Sequence, residues 1–336
     1  MEIKEAIGSI VTRIDLKEDE MQSVMRQIMT GGATPTQIGG FLAGMRAKGE
    51  TVEEITAAAR VMRELAMRVK VSPQHLVDTC GTGGDNRRLF NVSTAAAFVV
   101  AAAGGRVAKH GNRSMSSKSG SADLLEAMGV PLELPPEHVA ASIEKIGIGF
   151  MFAPAHHPAA RFAAAPRREL GTRTLFNLLG PLTNPANAPH QLLGVFADRW
   201  VEPMANVLKS LGSTHVLVVH SEDGLDEVSL AAPTAVSELK DGEVKSYRIQ
   251  PEDFGLKRQA LDSLEVDGPQ ASLAMVELAF SGKPGPARDM LMLNAGAAIY
   301  AADVTATLKE GMALADKMLT EGAARDKLAQ FLEMSR

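Results

Sequence analysis

Residues 78–94, DTCGTGGDNRRLFNVST, gather Gly81, Gly83 and Gly84 with two aspartates, two arginines and several hydroxyls between apolar stretches. The preceding QHLVD reads as a short strand ending at Asp78, and the following STAAAFVVAAA as a buried helix beginning near Ser93. A glycine turn that runs into a helix start exposes unpaired N–H groups, which favour an anion. The spacing is neither the Gly-x-Gly-x-x-Gly of a dinucleotide site nor a P-loop ending in Lys-Ser/Thr. On these residues alone the identity of the anion stays open.

Two further clusters bear on it. In AKHGNRSMSSKSGSAD, residues 108–123, Lys109, His110, Arg113 and Lys118 alternate with Ser114, Ser116, Ser117, Ser119 and Ser121. Cations, hydroxyls and turn N–H groups together suit a phosphate or pyrophosphate, and a solvated loop is the alternative. In HSEDGLDEVSL, residues 220–230, Asp226 and Glu227 are adjacent carboxylates. They read either as an acidic surface turn or, facing a phosphate pocket, as magnesium ligands to which Ser93 adds a hydroxyl. Zinc is poorly supported, because His156 and His157 are neighbours and Cys80 is the single cysteine. His157 reads as an orienting group near a substrate. Arg167, ten residues on, can border the same crevice and pair bidentately with a carboxylate. Met21, Met25 and Met29 read as packing residues.

The elements that must hold these clusters follow from periodicity. Residues 1–70 contain no convincing strand. Leu16, Met21, Val24, Met25 and Ile28 share one helical face; Thr34 caps a second helix that stops at Gly49; Thr51 with Glu54 forms a capping box for a third. Helices this short need partners, from each other, a larger body or a second subunit. From about residue 74 strands alternate with helices, at HLVD, RVAKH, IGFMF, THVLVVH and VKSYRI. That pattern predicts a mostly parallel sheet covered by helices, with ligands outside the carboxyl ends of its strands. The polar clusters follow predicted strands. Residues 156–191 are dense in Pro, Gly and Asn and read as an excursion back to the helical part; after 268 the chain reads as helical.

Composition narrows the class. The 336 residues are 45% hydrophobic and 22% charged, with 35 basic against 40 acidic side chains and a net charge of −5. This gives no bulk attraction to nucleic acid or anionic lipid. Aromatics at 4% argue against base-stacking platforms. The N-terminus lacks the pattern of a signal peptide, no apolar run reaches membrane-spanning length, and a single cysteine fits a reducing cytoplasm. The expectation is a cytoplasmic enzyme acting on small molecules, with no nucleic-acid or membrane partner.

Taken together and in order, DTCGTGGD, NVSTAAAF, KHGNRSMSSKSGSAD, HHPAARFAAAPRRELGTRTLFNLLGPLTNP and DGLDE resemble the anthranilate phosphoribosyltransferases over essentially the whole chain. The resemblance implies an α/β protein. A small all-helical domain, residues 1–70 with a returning segment at about 170–188, stands beside a large α/β domain, residues 71–169 and 189–336, with a mostly parallel central sheet. It implies a glycosyltransferase that moves the phosphoribosyl group of phosphoribosyl pyrophosphate (PRPP) to the amine of anthranilate, the second step of tryptophan biosynthesis from chorismate. Mg2+, two per subunit, and a homodimer joined through the helical domain are also implied. PRPP is implied at Gly81, Gly84, Asp85, Asn91, Val92, Ser93, Thr94, Lys109, His110, Gly111, Asn112, Arg113, Ser114, Met115, Ser116, Ser117 and Ser121. Lys109, Arg113 and Ser117 are implied to stabilise the transition state. Anthranilate is implied at Gly81, Asn112, His157 and Arg167, and the metal at Ser93, Asp226 and Glu227.

One departure is local. The family has a threonine where Leu89 stands, and Arg87 and Arg88 fit no family role. Pyrimidine nucleoside phosphorylases share the fold and are the rival reading, as is a non-enzymatic nucleic-acid binder. Arg167 and the Asp226–Glu227 pair favour an anionic acceptor with metal-bound pyrophosphate over the first, and the negative net charge disfavours the second. An aryl amine is neutral at pH 7, so the expected task is positioning and stabilisation of the leaving pyrophosphate rather than strong base catalysis, with inversion at the ribose C1.

Overall fold

The computed structural model describes residues 1–84, 87–114 and 118–336. Four helices open the chain: α1 (Ile3–Val11), α2 (Glu18–Met29), α3 (Pro35–Lys48) and α4 (Val52–Glu64). The expected caps are present. The Thr34 hydroxyl accepts from Gln37 N at 3.3 Å and the Thr51 hydroxyl from Glu54 N at 3.2 Å. Glu54 does more than cap. Fully buried, its carboxylate accepts from Thr51 N, from Leu16 N at 2.9 Å and from Lys48 Nζ at 2.8 Å, so every charge-bearing oxygen is satisfied.

The rest alternates around one sheet: β1 (Leu76–Gly81), α5 (Val92–Ala102), β2 (Arg106–Gly111), α6 (Ser121–Ala127), α7 (Pro136–Ile146), β3 (Ile148–Phe152), α8 (Ala153–His156), α9 (Arg161–Leu170), α10 (Leu175–Leu179), β4 (His190–Gly194), α11 (Val201–Ser210), β5 (His215–Ser221), β6 (Thr234–Lys240) and β7 (Glu243–Ile249). Four helices close it: α12 (Pro269–Phe280), α13 (Pro286–Ala301), α14 (Leu308–Thr320) and α15 (Ala323–Met334). The strand order is β3-β2-β1-β4-β5-β6-β7. β1 to β5 pair in parallel, and β6 and β7 add an antiparallel edge. Among the described residues, no helix is long and apolar enough to cross a membrane.

Two of these strands escape the sequence pattern. β4 is five buried residues, HQLLG, inside a Pro- and Asn-rich stretch, and a strand buried on both faces shows no alternation. β6 pairs with β7 across a turn at Asp241 (φ 51°) and Gly242 (φ 77°), an Asp-Gly hairpin signal between alternating residues.

The pleat divides the core. Leu192, Leu217 and Val219 face the layer of α5, α12, α13, α14 and α15, whereas Leu193, Val216 and Val218 face the opposite layer. That second layer is continuous with Met21, Val24, Met25, Ile28, Phe41 and Leu42 of the N-terminal helices. The short helices therefore find their partners in one another and in α9, α10 and α11, through which they join the layer against the sheet. The chain returns to them ahead of residue 170, because α9 packs on α2 and α3, with the Phe162 ring over Gly31.

Candidate active site

The carboxyl ends of β1, β2, β4 and β5 converge, and the three polar clusters meet there. The glycine turn leaves β1 between the two neighbouring strands: Thr82 N donates to Gly194 O at 2.9 Å, and Gly83 N donates to Asp226 Oδ2 at 2.8 Å. The close approach requires two missing side chains. A Cβ on Gly81 would sit 2.4 Å from Asp226 Oδ2, and one on Gly194 would sit 1.6 Å from the Asp226 carbonyl oxygen. Gly84 takes a left-handed φ of 82°, and its carbonyl accepts from the Arg173 guanidinium, which stacks over the Phe196 ring at 4.4 Å. Arg173 and Phe196 were not among the site residues read from sequence; nothing near them in the chain marks a partner 89 residues away.

Lys109 is the buried cation. Its Nζ donates to Thr79 O and lies 3.4 Å from Ser93 Oγ, while Thr79 Oγ1 bonds Ser93 O at 3.0 Å. Burial lowers the Lys109 pKa, opposed by the nearby charges of Asp78 and Glu227. Asp78, fully buried, is pushed up to about 6 by desolvation, opposed by Lys109 and by its bond from Asn184 Nδ2 at 2.7 Å. It braces the end of β2 by accepting from His110 N. Burial also raises the Asp226 pKa, countered first by the Gly83 N–H. The acidic turn is itself pinned. Asn294 of α13 accepts from Val228 N and donates to Val228 O, both at 2.9 Å, and Asp223 accepts from Ser221 and Ser229. A lone Asn in the apolar run from Met290 to Ile299 is the available signal for that clamp.

At α5, Asn91 Oδ1 accepts from Ser119 and Ser272, and its Nδ2 donates to Ser119 O at 3.0 Å. Asn91 thus ties the residues after the serine loop to the helix start. Val92 is buried, and Thr94 Oγ1 is buried with no hydrogen-bond partner among the described residues. Gly111 lies under Ser121, whose hydroxyl also donates to Asn112 O. Asn112 Oδ1 accepts from Arg113 N, and Ser114 N donates to Asp123. Arg113 is engaged by the acidic residues of α6. Its guanidinium binds Glu126 through two nitrogens, at 2.7 and 2.9 Å, and Asp123 at 3.1 Å. Asp85, Met115, Ser116 and Ser117 lie outside the described residues.

Two histidines form one wall. The His110 and His157 rings stand 5.1 Å apart, and His157 Nε2 donates to Thr183 O at 2.9 Å. Burial pushes His157 down to about 4, opposed by that bond, and holds His110 well below the usual imidazole range. Both are neutral at pH 7. In the folded protein His157 titrates below the value of about 6.5 that it has in the unfolded chain, so between the two values the unfolded chain binds more protons and acid favours unfolding. The stability difference between wild type and His157→Asn is expected to shrink as pH falls from about 6.5 to about 4, by up to about 3 kcal/mol, and to stay level below. Urea titrations of both proteins on each side of that window check it; a pH-independent difference excludes a neutral buried imidazole. Arg167 lies on α9 with its guanidinium over the Phe176 ring at 5.1 Å. Arg87 forms an ion pair with Glu265 at 3.7 Å, and Leu89 bridges to the backbone of Glu265, so this stretch is held by the 265 region.

Comparison with known proteins agrees with this geometry. Residues 4–66 match the glycosyl transferase family helical bundle domain and residues 73–325 the glycosyl transferase family a/b domain. The anthranilate phosphoribosyltransferase of Thioalkalivibrio sulfidiphilus is 61% identical over 335 residues, covering 100% of this chain and 99% of the relative. The crystal structure of the Thermus thermophilus anthranilate phosphoribosyltransferase superposes with a TM-score of 0.93 at 47% identity, covering 98% of this chain and 99% of that one. The Saccharomyces cerevisiae anthranilate phosphoribosyltransferase, solved in complex with PRPP and Mg, superposes with a TM-score of 0.89 at 25% identity, covering 99% and 97%. With the glycine turn, the buried lysine and the acidic pair gathered at the carboxyl ends of a parallel sheet, and with these relatives matched from end to end, the chain belongs to the anthranilate phosphoribosyltransferase family.

Proposed function

We propose that this site transfers the phosphoribosyl group of PRPP to the amine of anthranilate, with release of pyrophosphate, as a magnesium-dependent phosphoribosyltransferase of tryptophan biosynthesis. The observation that carries the reading is the contact of Gly83 N with Asp226, which closes the glycine turn against the acidic pair beside Lys109. Turn N–H groups and the α5 start bind the anionic end of PRPP, and Lys109 holds positive charge where pyrophosphate leaves. Val92, Ser93, Thr94, Gly111 and Ser121 shape the same floor, and Asn91 fixes it. Arg113 joins the phosphate contacts by exchanging Glu126 for substrate.

The acidic pair fits a divalent cation. Asp226 Oδ2 takes the Gly83 N–H, and desolvation of this carboxylate, with no side-chain cation bonded to it among the described residues, favours an ion beside it. Asp226, Glu227 and Ser93 would hold Mg2+, two ions per subunit, which supplies charge neutralisation for the leaving pyrophosphate. The neutral His110 and His157 rings present hydrogen-bonding edges to the acceptor, and Arg167 meets its carboxylate with Asn112 alongside. Because the aryl amine arrives neutral, the residues need only align it with C1 for attack from the face opposite pyrophosphate. We place the reaction in the cytoplasm, where the single cysteine stays reduced.

Pyrophosphate release from PRPP, measured with and without anthranilate, tests the reaction: release that needs anthranilate and Mg2+ supports it, and release driven by a nucleobase instead overturns it. Arg167→Ala is expected to raise the anthranilate KM about tenfold or more, since one charge-assisted bond is worth roughly 1.5–3 kcal/mol, and to leave the PRPP KM unchanged. A loss falling wholly on PRPP assigns Arg167 to the other substrate. We further propose a homodimer through the helical domain, where Val11 and Ile14 stand 65% and 58% exposed near the end of α1. Sedimentation equilibrium at micromolar concentration is expected to give a dimer; a monomer alone rules it out.

A further inference from the structure

The opposite end of the sheet carries side chains that the transfer reaction does not use. β4 and β5 each begin with a histidine, His190 and His215, side by side in register. Facing them is Asp303, in left-handed conformation (φ 55°) after α13. Its Oδ1 lies 2.5 Å from His215 Nδ1 and its Oδ2 lies 3.8 Å from His190 Nδ1. The donor atoms of all three residues lie within 4.8 Å of one another. The active site is at the other end of these strands, about 13 Å along β4 at ~3.3 Å per residue.

One feature points to a cation here, and a second is compatible with it. His190 Nδ1 is buried and has no hydrogen-bond partner among the described residues. Its separation from Asp303 is too long for a hydrogen bond, yet short enough for two ligands of one metal ion. His215 is bracketed by carboxylates on both ring nitrogens, because its Nε2 lies 3.1 Å from Glu238 Oε1. A neutral imidazole has a single N–H. Nδ1 is within hydrogen-bond distance of Asp303 Oδ1, so with one N–H given to Glu238 a metal ion would take the place of the proton on Nδ1, the exposed Asp303 carboxylate moving back to make room. Glu238 is itself fixed by the Tyr300 hydroxyl at 2.6 Å. A histidine that gives one N–H to an anchored carboxylate and turns its other nitrogen to further donors has the outer-shell arrangement of metal-bound histidines.

We propose that His190 Nδ1, His215 Nδ1 and the Asp303 carboxylate bind one divalent transition metal of the Zn2+ class, tying β4, β5 and the turn after α13 together. Two imidazoles and one carboxylate select Zn2+, Co2+ or Ni2+, whereas Mg2+ prefers oxygen ligands. The Asp303 side chain is 47% exposed, which provides an entry path and room for a water as fourth ligand.

The test is a titration of chelator-treated full-length protein with Co2+, then Zn2+, under excess Mg2+ to saturate the oxygen site at Asp226 and Glu227. One Co2+ per chain is expected, with the visible absorption of a low-coordinate nitrogen and oxygen site, displaced by Zn2+. Asp303→Asn, which keeps the size and tolerates the left-handed backbone, is expected to weaken binding by about tenfold or more, as is His190→Gln. Asp226→Asn with Glu227→Gln is expected to leave it unchanged. Zn2+ is also expected to raise the Tm of wild type but not of Asp303→Asn, a comparison that stands even if His190→Gln does not fold. No Mg2+-resistant Co2+ binding up to about millimolar metal, or binding unaltered by Asp303→Asn, overturns the proposal.

Discussion

Turnover in the Asp226→Asn, Glu227→Gln double variant is expected to fall by about a hundredfold or more at saturating substrates, with most of its Mg2+ dependence lost. Both replacements keep size, and the amide oxygen of the introduced asparagine can still accept the Gly83 N–H that Asp226 Oδ2 takes at 2.8 Å. The glycine turn therefore keeps its anchor while the site loses two negative charges. Metal ions stabilise developing charge by several kcal/mol, and each ~1.4 kcal/mol is tenfold in rate, so a hundredfold loss is a conservative figure. Stability moves little or rises, because burial holds the Asp226 pKa up and an amide there carries no desolvated charge. Steady-state rates across a Mg2+ titration, with Tm as the folding control, check the prediction. A variant with wild-type Mg2+ dependence removes the metal from this pair.

Gly194→Ala is expected to cost comparable activity for a steric reason, and stability with it. An added Cβ would lie 1.6 Å from the Asp226 carbonyl oxygen and 2.5 Å from its carbon, both backbone atoms with no rotamer to relieve the clash. Neither side can yield easily. β4 is held between β1 and β5, and Gly194 O accepts from Thr82 N. The acidic turn is pinned through Ser221, Asp223 and the Asn294 clamp on Val228. Overpacking of this kind costs about 1–3 kcal/mol or more, and here it also displaces Asp226 from Gly83. The expected result is a Tm lowered by several degrees and turnover reduced by about a hundredfold. Gly8→Ala is the contrast: nothing lies within 4 Å of its Cβ, and alanine favours the α1 helix. Wild-type Tm and kcat in Gly194→Ala would mean that the acidic turn does not lie over β4.

The residue sequence by itself determined what near neighbours can decide. Thr34, Gly49, Thr51 and Glu54 mark helix ends through bonds to backbone three or four residues away, and the periodic faces of the first helices follow from the same short range. Likewise the glycine turn, the lysine and serine loop and the acidic pair each follow a strand, which is enough to place them at its carboxyl end. Which of these ends share a pocket depends on strand order, and no local signal carries that. Only the tertiary structure sets β4 between β1 and β5, which is why Gly194 becomes the floor under Asp226 and Arg173 reaches Gly84. The same holds for charge. Arg113 sits in a phosphate-like string, yet its guanidinium is taken by Asp123 and Glu126, on the helix that follows. Burial lowers His110 and His157 and raises Asp78, and burial is a property of the packed layers rather than of residue type. His190, His215 and Asp303 carry no signal apart and become a cluster only where two parallel strands begin side by side.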